Sequence, residues 1–294
     1  MHDKLMELPI IKGVKHGKVR DIYDLGDKLL LVTSDRISAF DVVFPNLIPD
    51  KGKILSGISA HFFKNTQDIV PNHFITDDVA EYPAELQPFA QYLSGRSMLV
   101  KKTRVIPFEC IVRGYISGSA WSEYKKTGTV GGMMISEALK ESQKFASPLF
   151  TPSTKEEDGH DLNISYRDML NMMDGWIAQQ LKDKSLELYK YAHDLLKPQG
   201  IILADTKFEF GSIGSEIFLI DECLTPDSSR FWELNSYQMG SSPLSFDKQF
   251  VRDYLNASTW DKTPPAPELP AEIVEKTRAK YLEIYKIITG KELT

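Results

Sequence analysis

At 294 residues the chain is long enough to bury a full core and to divide into two lobes. Its 42% hydrophobic and 26% charged residues are those of an ordinary globular protein, which excludes a disordered or fibrous chain. A net charge of −6 argues against a general nucleic-acid binder but leaves room for anionic small ligands, which need only a local cluster of arginine and lysine. Cys110 and Cys223 are too few for a disulfide framework and show neither CxxC nor Cys/His metal spacing. No run reaches membrane-spanning length, and Asp3, Lys4 and Glu7 interrupt any apolar signal core. A cytoplasmic protein, monomeric and without membrane partners, is the expectation.

From Gly13 to Tyr23 the chain is glycine-punctuated and basic, with Lys12, Lys15, His16, Lys18 and Arg20 in close succession. A strand over 18–23, a turn at Leu25-Gly26-Asp27 and a strand over 28–33 predict a hairpin. Gly13-x-x-x-Gly17-Lys18 is not a P-loop: it is one residue short, no Ser or Thr follows the lysine, and a strand rather than a helix comes next. A glycine turn leading into a strand covers phosphates in protein kinases, so the segment reads either as a phosphate cover or as an exposed basic turn. The small polar run Ser34-Asp35-Arg36-Ile37-Ser38-Ala39-Phe40-Asp41 follows an apolar stretch, and loops at strand ends often carry function. Ile54, Leu55, Ile58 and Phe62 fall at helical spacing and predict a packing helix over 54–65, with His61 structural.

Residues 71–96 carry scattered prolines and support no regular assignment. Strands are predicted over 98–102 and 109–113, joined through Ile106-Pro107. That connection divides the chain into a β-rich N-terminal lobe, 1–105, and an α+β C-terminal lobe, 106–294. After Arg113 comes the small-residue loop Gly114-Tyr115-Ile116-Ser117-Gly118-Ser119. An arginine fork beside backbone N–H groups suits a phosphate or carboxylate, and a plain turn before a helix over 121–126 is the other reading. A long polar loop over 148–161 precedes a helix over 166–181 capped by Ser165 and a second over 185–196. Met169, Met172, Met173 and Trp176 share helical spacing and are expected in the core.

The chain is organised around residues 201–232. An apolar opening, Ile201 to Leu203, leads into a strand whose period of two puts Asp205, Lys207 and Glu209 on one face and Thr206, Phe208 and Phe210 on the other. Gly211 and Gly214 supply a turn, and a returning strand over 216–220 delivers Asp221. Charges on a strand face that would otherwise join a core cost several kcal/mol each, roughly, unless paired or ligated. Two carboxylates and a lysine facing one space suit Mg²⁺ bridging phosphate oxygens; a surface hairpin with an internal salt bridge is the alternative. Beyond it a helix over 245–255, a proline-rich strap over 263–270 and an amphipathic helix over 271–288 complete the chain.

Four blocks together carry a resemblance. Gly17-Lys18-Val19-Arg20-Asp21-Ile22-Tyr23, the run Ser34 to Asp41, Ile111-Val112-Arg113-Gly114-Tyr115-Ile116-Ser117-Gly118-Ser119-Ala120-Trp121 and Asp205-Thr206-Lys207-Phe208-Glu209-Phe210-Gly211 resemble the SAICAR synthetase family, in the family's order. The resemblance implies a two-lobed α+β fold related to ATP-grasp and protein-kinase-like architectures, with ATP between the lobes. It implies an ATP-dependent ligase that joins L-aspartate to the carboxylate of carboxyaminoimidazole ribonucleotide through an acyl phosphate, releasing ADP and phosphate. By carry-over, Lys12, Gly17, Lys18 and Arg20 line the ATP phosphates, and Glu209 and Asp221 hold Mg²⁺. Arg113, Ser119 and Arg230 hold the ribonucleotide, Asp161 closes over it, and Ser38 and Asp41 contact substrate. Lys207 sits near the carboxylate being activated, with Asp205 or His160 as candidate base. The rivals are a small-molecule kinase-like phosphotransferase and a non-catalytic nucleotide-binding module. The protein-kinase signature is absent, since His160-Asp161-Leu162-Asn163 has the wrong spacing and no Asp-Phe-Gly occurs, and a module without catalysis has no need of Glu209 and Asp221.

Overall fold

Apolar runs in the first hundred positions pair into a five-stranded antiparallel sheet. The computed structural model describes Leu8, residues 14–155 and residues 162–293. In it β1 (Val14–His16), β2 (Arg20–Asp24) and β3 (Lys28–Thr33) form successive hairpins. The hairpin of β4 (Arg36–Ala39) and β5 (Val42–Leu47) turns at Phe40 and Asp41, whose φ values of 52° and 63° are left-handed. Helix α1 (Lys51–Asn65) starts three residues earlier than its apolar spacing predicts, because Asp35 Oδ1 accepts from the Gly52 N–H at 2.8 Å and supports its first turn. The unassigned region resolves into β6 (Phe74–Thr76), short turns of 3₁₀ helix and α2 (Ala90–Leu93), and the strand expected over 98–102 is β7 (Ser97–Lys101). The sheet order is β1-β2-β3-β7-β6. Tyr23, Leu30, Val32 and Leu99 pack with Leu8, Tyr82 and Leu86 on one face. The Tyr82 hydroxyl meets Ser97 Oγ at 3.0 Å, and burial pushes its phenol up to about 12.

A second unit is built on β8 (Arg104–Tyr115), a twelve-residue strand. Ile106-Pro107 lies inside this strand rather than forming a connection. The three residues of β8 between Val105 and Glu109 stand against Phe210 alone on its neighbour, so Pro107 occupies an irregularity where its missing N–H breaks no regular ladder. There follow α3 (Gly118–Thr127), the short β9 (Thr129–Val130) and β10 (Met133–Met134), then β11 (Lys144–Phe150) and β12 (Ser153–Thr154). Helices α4 (Tyr166–Met172) and α5 (Gly175–Leu196) replace the predicted pair. Ser165 caps α4 in a reciprocal box with Asp168, but the break falls at Met173, because the Asp174 carboxylate accepts from the Trp176 and Ile177 N–H groups and starts a new helix there. The interruption splits the methionine stripe: Met169 is buried, whereas Met172 and Trp176 are 58% and 62% exposed and lie outside the core.

Strand β13 (Ile201–Ile213) runs straight through Gly211, and the turn is made at Gly214-Ser215 before β14 (Glu216–Ile220). Its first half pairs with β15 (Ser229–Glu233), its second with β14, and its other edge with β8, giving the sheet path β11-β8-β13-β14. Helix α5 covers one face, burying Leu181, Leu188, Ala192 and Leu196. Cys110 bonds to Ser185 of α5 and is the register partner of Phe208, so the even-numbered side chains of both strands face the helix. The odd-numbered charged ones face away from it.

The chain then returns to the first unit. Helix α6 (Gln249–Ala257) packs on α7 (Ala271–Thr289), and α7 buries Thr277, Tyr281, Ile284 and Ile288, packing on α1. Arg278 Nε donates to Asp50 Oδ2 at 3.0 Å beside this contact. The first compact unit therefore comprises the residues up to Asn65, His73–Thr103 and those from Phe246 onward; the second comprises Thr66–Asn72 and Arg104–Ser245. This corrects the expected cut at 105/106. The last helix has an apolar stripe of its own and finds its partner in α1, far away in sequence. No helix among the described residues is long and apolar enough to cross a membrane.

Candidate active site

The charged face of the second unit's sheet carries two adjacent clusters. Antiparallel register places Asp205 opposite Arg113 on β8 and opposite Arg230 on β15. Asp205 Oδ2 accepts from Arg113 Nη1 at 3.2 Å and from Arg230 Nη1, so one carboxylate orients two guanidinium groups. Arg113 also donates through Nε to Thr151 Oγ1 at 2.9 Å and through Nη2 to Ser119 Oγ at 3.4 Å. Burial lowers the Arg113 pKa, with the Arg230 charge acting in the same sense and Asp205 opposing. Gly118, at φ 54°, opens α3 beside this fork: a Cβ there would lie 2.3 Å from Arg230 Nη2. The result is a pair of planar donors held rigid near the first turn of a helix, suited to phosphate or carboxylate.

Beneath the fork, Gly114 makes room for α5. A Cβ on Gly114 would come 1.8 Å from the Tyr189 hydroxyl, which donates to the Leu203 carbonyl at 2.7 Å. Gly114→Ala should therefore cost about 1–3 kcal/mol or more by overpacking, a fall of several degrees in Tm. Thermal melts check this, and Gly114→Ala/Tyr189→Phe should recover part of the loss; a single variant melting like wild type would refute the contact.

The second cluster lies along the same face. Glu209 is the direct cross-strand partner of Glu109, and Lys207 stands opposite Ile111. The Lys207 ammonium is paired with Glu109 Oε1 and lies 3.8 Å from Glu209 Oε1; Lys155 pairs with Glu209 Oε2. Glu209 is paired with Ile220 across the hairpin, which puts Asp221 one position further on, at a left-handed φ of 65°. Burial by itself would depress the Lys207 ammonium, but the charges of Glu109 and Glu209, the bond to Glu109 and the charge of Asp221 outweigh it and hold its pKa well above the usual lysine value. For Glu209, burial and then Asp221 raise the carboxyl, against Lys207 and Lys155.

Among the described residues no group of three or more His, Cys, Asp or Glu side chains is arranged to hold a metal ion. Mg²⁺, however, is commonly bound by one or two carboxylates and completes its shell with water and phosphate oxygens. Glu209, buried and with its carboxyl raised in part by the Asp221 charge, and Asp221 itself are two hard oxygen donors that suit such a cation.

In the first unit, Gly17 donates its N–H to the Arg20 carbonyl at 2.8 Å, closing the turn between β1 and β2; a Cβ on Gly17 would lie 2.7 Å from that oxygen. Arg36 staples the turn, donating to the Gly17 carbonyl at 3.1 Å and to the buried Asp21 at 2.8 Å. Lys18 is exposed and paired with Asp41 at the β4–β5 turn, Arg20 is buried on β2, and Ser38 lies on β4 opposite Val43. Lys12, His160 and Asp161 lie outside the described residues.

Glu109, Lys155, Thr151 and Arg36 join these clusters without having been singled out from the sequence. Glu109 was findable, since Glu109, Ile111 and Arg113 share one strand parity. Nothing local marks Lys155, which reaches Glu209 only through the fold.

A mixed α/β chain whose sheet face gathers an arginine fork and a lysine among carboxylates is an enzyme for anionic small molecules. A family model for SAICAR synthetase matches residues 13–267. The phosphoribosylaminoimidazole-succinocarboxamide synthase of Geotalea uraniireducens is 55% identical over 286 residues, covering 97% of each chain. The SAICAR synthase of Saccharomyces cerevisiae, solved complexed with SAICAR, superposes with a TM-score of 0.88 at 43% identity, over 99% of this chain and 98% of that one. A type-2 SAICAR synthetase in complex with ADP gives a TM-score of 0.70 at 25% identity, over 96% and 100%. The chain belongs to the SAICAR synthetase family, and it is a ligase of purine biosynthesis.

Proposed function

We propose that the chain condenses L-aspartate with carboxyaminoimidazole ribonucleotide, cleaving ATP to ADP and phosphate through an acyl phosphate. The observation that carries this is Lys207, an amine held charged between Glu109 and Glu209, on the same strand face as the Arg113–Asp205–Arg230 fork. Strand rise puts Lys207 roughly 6.5 Å along the chain from Asp205. The SAICAR bound to the yeast relative and the ADP bound to the type-2 relative support substrates of these kinds.

A carboxylate is a poor acyl donor, because its charge repels a nucleophile and an oxide would have to leave. Attack of the ribonucleotide carboxylate on the γ-phosphorus expels ADP and makes phosphate the leaving group. The aspartate amine then attacks the carbonyl carbon, with loss of a proton and inorganic phosphate. Arg113, Arg230 and Ser119 hold the ribonucleotide phosphate, and Lys207 offsets the charge of the transferring group. Asp205 serves to set the two arginines rather than as base, since its Oδ2 accepts from both guanidinium groups. Gly17, Lys18 and Arg20 line the ATP phosphates, as does Lys12, and Ser38, Asp41 and Asp161 contact substrate. Glu209 and Asp221 would hold Mg²⁺, which when bound neutralises phosphate oxygens. A glycine turn entering a strand, stapled by Arg36, is the feature in keeping with an ATP-grasp or kinase-like relationship.

The ribonucleotide is labelled with ¹⁸O in its carboxylate to test the route. One label should appear in inorganic phosphate, and ADP release should require both aspartate and the ribonucleotide. Label confined to the amide and water removes the acyl phosphate. ADP release with a single acceptor would instead identify a kinase-like phosphotransferase.

A further inference from the structure

Glu109 and Glu209 face one another directly across β8 and β13, and both are buried, at 8% and 6% exposure. Like charges directly opposite on a sheet destabilise it, and local rules are broken in this way chiefly at functional sites. The two carboxylates are not equivalent. Glu209 Oε2 is taken by Lys155, and Asp221 lies near. Glu109 has one oxygen fixed by Ser153, whose Oγ donates to Oε2 at 3.2 Å, and gives the other to Lys207. A carboxylate locked on one side and bonded to an amine on the other determines where that amine points.

We propose that Glu109 is a positioning residue for the ligase reaction, fixing the direction of the Lys207 ammonium while Glu209 serves the cation. The inference rests on the reading of Lys207 given above. In this role Glu109 acts through Lys207 rather than on the reacting groups directly.

The charge count separates this role from a structural one. Within the cluster three carboxylates (Glu109, Glu209, Asp221) stand against two ammonium groups (Lys155, Lys207). Glu109→Gln evens the balance and keeps an oxygen for Ser153, so stability should hold or improve.

A double-mutant cycle on the full-length enzyme, with Glu109→Gln, Lys207→Met and both together, tests the proposal. Misdirecting a reacting group by about 1 Å costs on the order of 100-fold, so Glu109→Gln should lower kcat by about 10- to 100-fold. KM for ATP, aspartate and ribonucleotide should each stay within about 3-fold, and Tm should not fall. Because Glu109 acts through Lys207, the double variant should be no slower than Lys207→Met alone, within about 2-fold. A double variant slower by the full Glu109→Gln factor overturns the proposal, as does normal kcat in Glu109→Gln. Normal kcat in Lys207→Met is a separate outcome, visible without any change at Glu109; it sinks the reading of Lys207 and the proposal with it. If Glu109→Gln does not fold, Glu109→Asp, which keeps the charge but withdraws it by a methylene, enters the same cycle. Loss of Tm in step with kcat in that variant marks a structural role and also overturns the proposal.

Discussion

Replacing Glu209 by glutamine, or Asp221 by asparagine, should lower kcat by roughly 10²- to 10³-fold, equivalent to several kcal/mol of charge stabilisation. A neutral amide is a far weaker ligand for Mg²⁺ than a carboxylate, and neither neighbour can replace the lost charge. The loss should arise without unfolding. The Glu209 carboxyl sits above its ordinary 4.5, because it is buried and because Asp221 is near. An acid raised in the folded state holds its proton to higher pH than it does in the unfolded chain, so stability falls as pH rises from the unfolded value through the folded one. Glutamine cannot ionise, so the melting temperature of Glu209→Gln should hold or rise above that window. Steady-state kinetics across a Mg²⁺ titration, paired with thermal melts from pH 5 to 8, provide the check. Near-normal turnover at ordinary Mg²⁺ in either variant would remove that residue from the metal site.

Arg230→Ala should raise the ribonucleotide KM by roughly 30-fold to several thousand-fold, corresponding to about 2–5 kcal/mol for one partner of a desolvated charge pair. The ATP KM should remain close to wild type. Arg230 is the cleaner of the two arginines to remove, because its side chain is 23% exposed while that of Arg113 is 5% exposed. With Arg230 gone, Asp205 keeps its bond to Arg113, so the buried carboxylate retains a partner. Arg113→Ala should show the same kinetic signature with a larger loss of Tm, since Thr151 and Ser119 lose their donor as well. Substrate titrations at fixed saturating ATP measure both. A rise in ATP KM instead would move the arginines to the nucleotide site.

Much of this site was legible in the residues themselves. Strand parity alone puts Asp205, Lys207 and Glu209 on one face, and that grouping holds because alternation is a local property of extended backbone. The β2–β3 hairpin, the helix ending at Asn65, the Ser165 cap and the final helix followed from turn chemistry, capping and spacing, which are also local. The family blocks carried the reaction.

What the sequence could not decide was every pairing between distant segments. Of the two glycines expected to supply the turn, Gly211 stays in the strand and Gly214 makes it with Ser215, because β14 sets the register of the hairpin from the far side, which puts Glu209 opposite Ile220 with Asp221 one position on. Ile106-Pro107 looked like a connection because proline usually interrupts a strand, whereas here an irregularity against β13 absorbs it. Met172 and Trp176 kept helical spacing yet left the core, since Asp174 capped a new helix between Met172 and Trp176. Amino-acid order alone determined which side chains share a face; tertiary structure alone decided which faces meet. Glu109 opposite Glu209, Lys155 on Glu209 and α7 against α1 each join residues dozens to hundreds of positions apart, and the contacts that select them exist only once the chain has folded.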